Sequence, residues 1–159
     1  FYAAAGCHDE EIFKTLERHQ IRLEGVLDNK NMSPLHHAAL AGNLVGVKYF
    51  LQKELSSFAL DALRETPLMK ATKFRVKCET ELKEKLRSPE YSSGKNITCN
   101  QELNQLRTRI EGCEAVEDYL TFWEKKIIKK LDSERKSTKE EVKTEKRERG
   151  ETPDTEAVV

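Results

Sequence analysis

The residues best suited to chemistry are His36 and His37, adjacent in the stretch Ser33-Pro34-Leu35-His36-His37-Ala38-Ala39-Leu40-Ala41-Gly42-Asn43. Paired imidazoles suit a metal site or a proton relay, because each titrates near neutrality and offers a ring nitrogen. Neither has a carboxylate or cysteine at a recognised spacing, and the same holds for His8 and His19. The cysteines Cys7, Cys78, Cys99 and Cys113 form no CxxC pair and match no zinc-ligand pattern, which predicts free thiols in a reducing compartment. No GxGxxG, P-loop lysine motif, HExxH or GxSxG occurs, and seven glycines are few for phosphate-cradling turns. The acidic pairs Glu10-Glu11 and Glu140-Glu141 sit in charge-rich stretches, where solvation explains them more simply than glycoside chemistry. A Cys–His pair brought together only in space stays open. Otherwise the sequence predicts no catalytic residue, no metal and no cofactor.

The elements around the histidines repeat. Asp28-Asn29-Lys30-Asn31-Met32-Ser33-Pro34-Leu35 and Asp61-Ala62-Leu63-Arg64-Glu65-Thr66-Pro67-Leu68 begin 33 residues apart. His36-His37-Ala38-Ala39 then aligns with Met69-Lys70-Ala71-Thr72. Ser33 and Thr66, each followed by proline, are helix starts: a hydroxyl cap, then a residue whose missing N–H costs nothing in the first turn. Ala38, Ala39, Ala41 and Ala71 allow neighbouring helices to approach, and Gly42 suits a turn with positive φ, as Asn31 also does. Val47, Phe50 and Leu51 give the next helix one apolar stripe, which a single helix pair cannot bury without a stacked neighbour.

With Gly42-Asn43-Leu44-Val45-Gly46-Val47-Lys48-Tyr49-Phe50-Leu51, residues 28–60 closely resemble an ankyrin repeat. Residues 61–74 resemble the start of the next, and 1–27 the tail of an earlier copy in which His8 stands where the family prefers glycine. The resemblance implies an all-α helical solenoid with β-turn tips, working by surface contact. It implies that His36 ties neighbouring turns through backbone hydrogen bonds, with Met69 as its counterpart, and it gives no role to His37. Carried over by position, the partner-binding residues are Asn29, Lys30, Met32, Leu40 and Ala41, with Ala62, Leu63, Glu65, Lys73 and Phe74 from the third copy. Met32, Leu40, Leu63 and Phe74 are apolar at places the family usually leaves open to solvent, which suits binding.

The third copy lacks its glycine turn. Residues 75–110 are expected as an inserted helical hairpin, with Val76, Leu82 and Leu86 facing Leu103, Leu106 and Ile110. Residues 111–131, opening Glu111-Gly112-Cys113-Glu114-Ala115-Val116, are expected to supply the missing second half and, through Trp123, to close the stack. Residues 132–159 are expected to be a mobile charged tail, since 132–151 carry seven basic and seven acidic side chains. The start at Phe1 predicts a fragment or processed product.

Composition excludes several classes. With 28 basic and 28 acidic residues the net charge is zero, which gives no general attraction to nucleic acid or anionic lipid. No apolar run approaches the roughly 18 residues of a membrane span. The sequence therefore predicts a monomeric, cytoplasmic or nuclear protein that binds another protein and turns over no small-molecule substrate. Two alternatives are a regulatory segment of a larger enzyme or channel, and a helical nucleic-acid binder using the basic cluster 125–136.

Overall fold

A computed structural model describes residues 5–6, 9–19, 23, 25–92 and 97–148. Cys7, His8, parts of the first partial repeat and positions 149–159 of the tail lie outside the described residues. The chain divides into two compact units, 1–121 and 122–159.

Among the described residues the helices are α1 Glu10–Arg18, α2 Pro34–Leu40, α3 Leu44–Gln52, α4 Pro67–Arg87, α5 Pro89–Ser92 and α6 Ile97–Glu148. The proline starts behave as sequence chemistry requires. Ser33 and Thr66 take extended backbone ahead of Pro34 and Pro67, and the Thr66 hydroxyl accepts from Met69 N. Gly42, at φ +65°, reverses the chain between α2 and α3. Asn43 then caps α3 by accepting from Gly46 N at 3.0 Å, while its amide donates to Ala5 O at 2.9 Å. α2 packs on α3 and α4, and α1 on α3. Leu35, Ala38, Ala39, Val47 and Phe50 are fully buried, and Phe13 of α1 joins Tyr49 and Phe50 in an aromatic cluster.

At the position matching Gly42 the third copy has Arg75, so α4 does not turn there but continues to Arg87. Arg75 is tied to Glu79 on its own helix and, through Nε at 2.7 Å, to Glu117 on α6. Lys85 reaches Glu102 at 2.6 Å, and the Tyr91 hydroxyl donates to the same carboxylate. Contacts 75–117 and 85–102 run in opposite senses, so α4 and the first part of α6 are antiparallel. Their seam is Cys78 with Leu103, Leu106, Cys113, Val116 and Leu120. Val76 and Leu86, expected there, are exposed, because the residues turned toward α6 follow the spacing 71, 75, 78, 82, 85.

Gly112 lies inside α6, and α6 passes residues 110–111 without a break. Its role is close approach, not the turn its sequence neighbourhood suggests: a Cβ there would meet Gly42 O at 2.8 Å. The second unit, taken by itself, continues α6 to Glu148, so residues 132–148 are helical. Within it, Lys126 stands over the Trp123 ring, and Phe122, Ile128 and Leu131 are exposed. Among the described residues no helix is long and apolar enough to cross a membrane, and no cluster of His, Cys, Asp and Glu could hold a metal.

Candidate protein-binding face

The face begins with two turns built by aspartates. Asp28 Oδ1 accepts from Lys30 N and Met32 N, both at 2.8 Å, and Asp28 N donates to Met32 O at 3.1 Å. One period later, Asp61 Oδ1 accepts from Leu63 N and Glu65 N, both at 2.9 Å, and Asp61 N donates to Glu65 O at 3.1 Å. The short carboxylate reaches amides two and four residues ahead, which is why aspartate initiates such turns. Asn31 and Arg64 take the left-handed position at φ 56° and 58°. Ala62 N donates to Lys30 O at 2.9 Å and laces the two tips together.

A side chain from the following helix closes each turn. His37 Nε2 stands 2.9 Å from Asp28 Oδ2, and Lys70 Nζ stands 2.7 Å from Asp61 Oδ2. The sequence alignment pairs His37 with Lys70 but shows no task common to them; the structure gives both the same one. Burial opposes ionisation of Asp28, yet the Met32 amide, His37 and the Lys30 amide outweigh it and hold the carboxyl below its usual range. Burial likewise opposes Asp61, and Lys70 with the Glu65 and Leu63 amides holds it low.

His36 is fully buried between the turns. Its Nδ1 accepts from Ser33 N at 3.2 Å with the Ser33 hydroxyl at 2.8 Å, and its Nε2 lies 3.1 Å from Glu65 O. A carbonyl only accepts, so the proton resides on Nε2 and the ring is neutral. Burial pushes its pKa below 6.5, opposed in part by the Glu65 carbonyl. The pair His36-His37 is thus one tie between turns and one clamp within a turn, and the two rings serve no shared site.

The proposed contact residues separate by burial. Asn29, Lys30, Ala62, Leu63 and Lys73 are exposed, with Leu63 at 73%. Leu40, Ala41 and Phe74 are half-buried. Met32 and Glu65 do not lie open as expected. Both are buried, because the fourth residue after each aspartate closes the turn and directs its side chain inward. Met32 meets that position as an apolar group. Glu65 meets it as a carboxylate held low by Lys70 and Lys73, the first at 2.5 Å. Met69, expected as the counterpart of His36, and Val76, expected in the hairpin seam, are both exposed on α4. Their spacing of seven places them on one side of the helix with Lys73 between.

No curated protein and no solved structure matches the chain. The family described as ankyrin repeats, in three copies, matches residues 1–88. Ankyrin repeats are in general protein–protein interaction modules. That match spans more than half of the sequence, and the turns, capped helix starts and buried histidine tie fall within it: the chain belongs to the ankyrin-repeat family.

Proposed function

We propose that this protein is a non-enzymatic interaction module of the adaptor, regulator or effector kind, whose protein partner docks on the turn tips and the first helices of the repeats. The observation that carries this reading is Leu63, 73% exposed at the tip of a turn whose backbone is fixed by Asp61. A large apolar side chain on a rigid, solvent-facing scaffold gains most from being covered by another surface. Asn29, Lys30, Ala62 and Lys73 flank it as polar and small contacts, and Leu40, Ala41 and Phe74 form the half-buried floor. Met32 and Glu65 act from beneath by holding the turns. The protein works in a reducing compartment, where its thiols stay free.

Residues 75–110 are read as an insertion between the halves of the third repeat. Support comes from burial at matched positions: Cys113, Val116 and Leu120 are buried as are Asn43, Gly46 and Phe50.

The test is capture from a cell extract by the immobilised full chain, comparing wild type with Leu63→Asp and with Arg107→Glu on α6. A partner kept by wild type and Arg107→Glu but lost from Leu63→Asp is the expected result. Identical recovery by all three rejects this face.

A further inference from the structure

The outward side of α4 carries a stripe that the general family role does not explain. Met69, Lys73, Val76, Thr80, Lys83 and Arg87 follow one another at spacings of four, three, four, three and four, so they share one side of the helix. All six are exposed. The seam residues Ala71, Arg75, Cys78, Leu82 and Lys85 lie on the opposite side, toward α6. The stripe spans 18 residues of rise, about 27 Å.

Its chemistry is one-sided. It contains three cations, two apolar residues and no acid. The helix does carry acids, but Glu79 is tied to Arg75 and Glu81 stands near Lys85 on the seam side, while Glu84 sits beside the stripe. Of the stripe cations, Lys73 leans back to Glu65, whereas no ion pair engages Lys83 or Arg87 among the described residues. Lys77, exposed beside the stripe, adds a positive charge on one flank, as Glu84 adds a negative one. Three of the seven basic side chains of α4 thus share this exposed side of the helix.

We infer that this stripe binds an acidic amphipathic helix of the partner protein. Such a helix would cover Leu63, Met69 and Val76 with its apolar residues and set its carboxylates against Lys83 and Arg87. Charge complementarity steers and orients the encounter, and the apolar end supplies the area that holds it. The inference rests on the docking face proposed above and adds the class of occupant. A nucleic acid fits less well, because the half of the stripe nearest the turns sets two apolar residues, Met69 and Val76, around Lys73, and the stripe has no aromatic ring to stack on a base.

The experiment is a display library of 18-residue helical peptides with randomised outer positions, selected on the full chain. It is repeated on Lys83→Glu/Arg87→Glu and on Leu63→Asp; all three residues are exposed, and circular dichroism checks the fold. The expected outcome is enrichment of peptides rich in Asp and Glu with two apolar positions, binding at least tenfold more weakly to Lys83→Glu/Arg87→Glu and to Leu63→Asp. Enrichment of peptides without acidic bias that nonetheless lose binding to Leu63→Asp overturns the acidic occupant and leaves the docking face standing. Enrichment indifferent to both variants overturns both readings. A labelled 20-nucleotide single strand or duplex that binds as tightly as the best peptide, and loses it in Lys83→Glu/Arg87→Glu, replaces the acidic helix by nucleic acid.

Discussion

The turn from Asp28 to Met32 closes around an apolar side chain with His37 against its aspartate, whereas the turn from Asp61 to Glu65 closes around a carboxylate with Lys70 against its aspartate. The hydrogen bonds from backbone amides to the aspartate carboxylates agree between the two turns to about a tenth of an ångström, so the difference lies in the other side chains. It is also compensated: a buried glutamate appears where the clamp is a lysine able to reach two carboxylates at once, and a methionine appears where the clamp on the aspartate is a histidine. The same contrast continues downstream. Gly42 ends the first helix of the second repeat, while Arg75 at the matching position lets α4 continue and anchors it to Glu117. The Arg75 pKa is raised by Glu117 first and Glu79 second, so this guanidinium stays charged at any pH the fold survives. Aspartate thus fixes the turn, and the residues around it vary as matched sets.

The most damaging way to break that comparison is Lys70→Met. Its ammonium faces Asp61 and Glu65, both nearly inaccessible, and its removal leaves Asp61 without a cation and Glu65 with Lys73 alone. Uncompensated carboxylates of this kind cost about 2–4 kcal/mol. His37→Met should cost clearly less, since His37 and Asp28 are partly solvated and only one carboxylate loses its clamp. Glu65→Met added to Lys70→Met should restore part of the loss, because it gives the third turn the interior of the second. Urea unfolding of the four proteins measures the cycle. Equal losses for Lys70→Met and His37→Met would mean that the two turns are not matched sets at all.

Gly112→Ala tests the comparison at the helix ends. Alanine favours a helix interior over glycine by about 1 kcal/mol, so propensity alone predicts stabilisation. The new methyl would instead press on Gly42 O and on the turn between α2 and α3, and destabilisation of about 1–3 kcal/mol is expected. A rise in the unfolding midpoint would show that the Gly42 turn yields to α6.

The sequence made the repeat, the Ser/Thr-Pro helix starts and the His36 tie legible, because all three depend on backbone needs that recur with the period. Met32 and Lys70 were not legible in the same way. Whether the fourth turn residue points inward is decided by the aspartate's reach to its amide, and a charge at such a place reads as a surface charge until its partners are located. Val76 and Leu86 misled for a related reason. Apolar spacing shows which residues share a face, but Arg75, Cys78 and Lys85 decide which face meets α6. Continuity of α4 was signalled by the missing glycine, whereas the close contact of Gly112 with Gly42 joins positions 70 apart and leaves no local trace.

A smaller effect sharpens the left-handed position that both turns share. Asparagine tolerates φ near +56° by bonding locally, and arginine at φ +58° does not. Arg64→Gly should therefore stabilise the fold by about 1 kcal/mol, while Asn31→Gly should change little. Thermal unfolding of the two variants separates them, and an equal shift would mean that Arg64 is not strained.

The smallest effect is the pH dependence of the tie between the turns. The folded protein holds His36 neutral with its pKa below 6.5, so the unfolded chain binds the proton more readily. Stability contributed by the neutral ring is fully present above pH 6.5 and declines as pH falls from there through the folded value. A second and separate decline follows when Asp28, Asp61 and Glu65, all held below their usual range, take up protons at more acidic pH. His36→Met copies Met69 of the third repeat, which has no following turn to tie in the described structure and stands exposed. The variant should be less stable at pH 7.5, having lost its bond to Glu65 O, and should lose the upper decline while keeping the lower one. If urea midpoints of wild type and variant fall in parallel between pH 7.5 and 5.5, the upper decline belongs to another group, and the two repeats do not differ in the way their histidine and methionine imply.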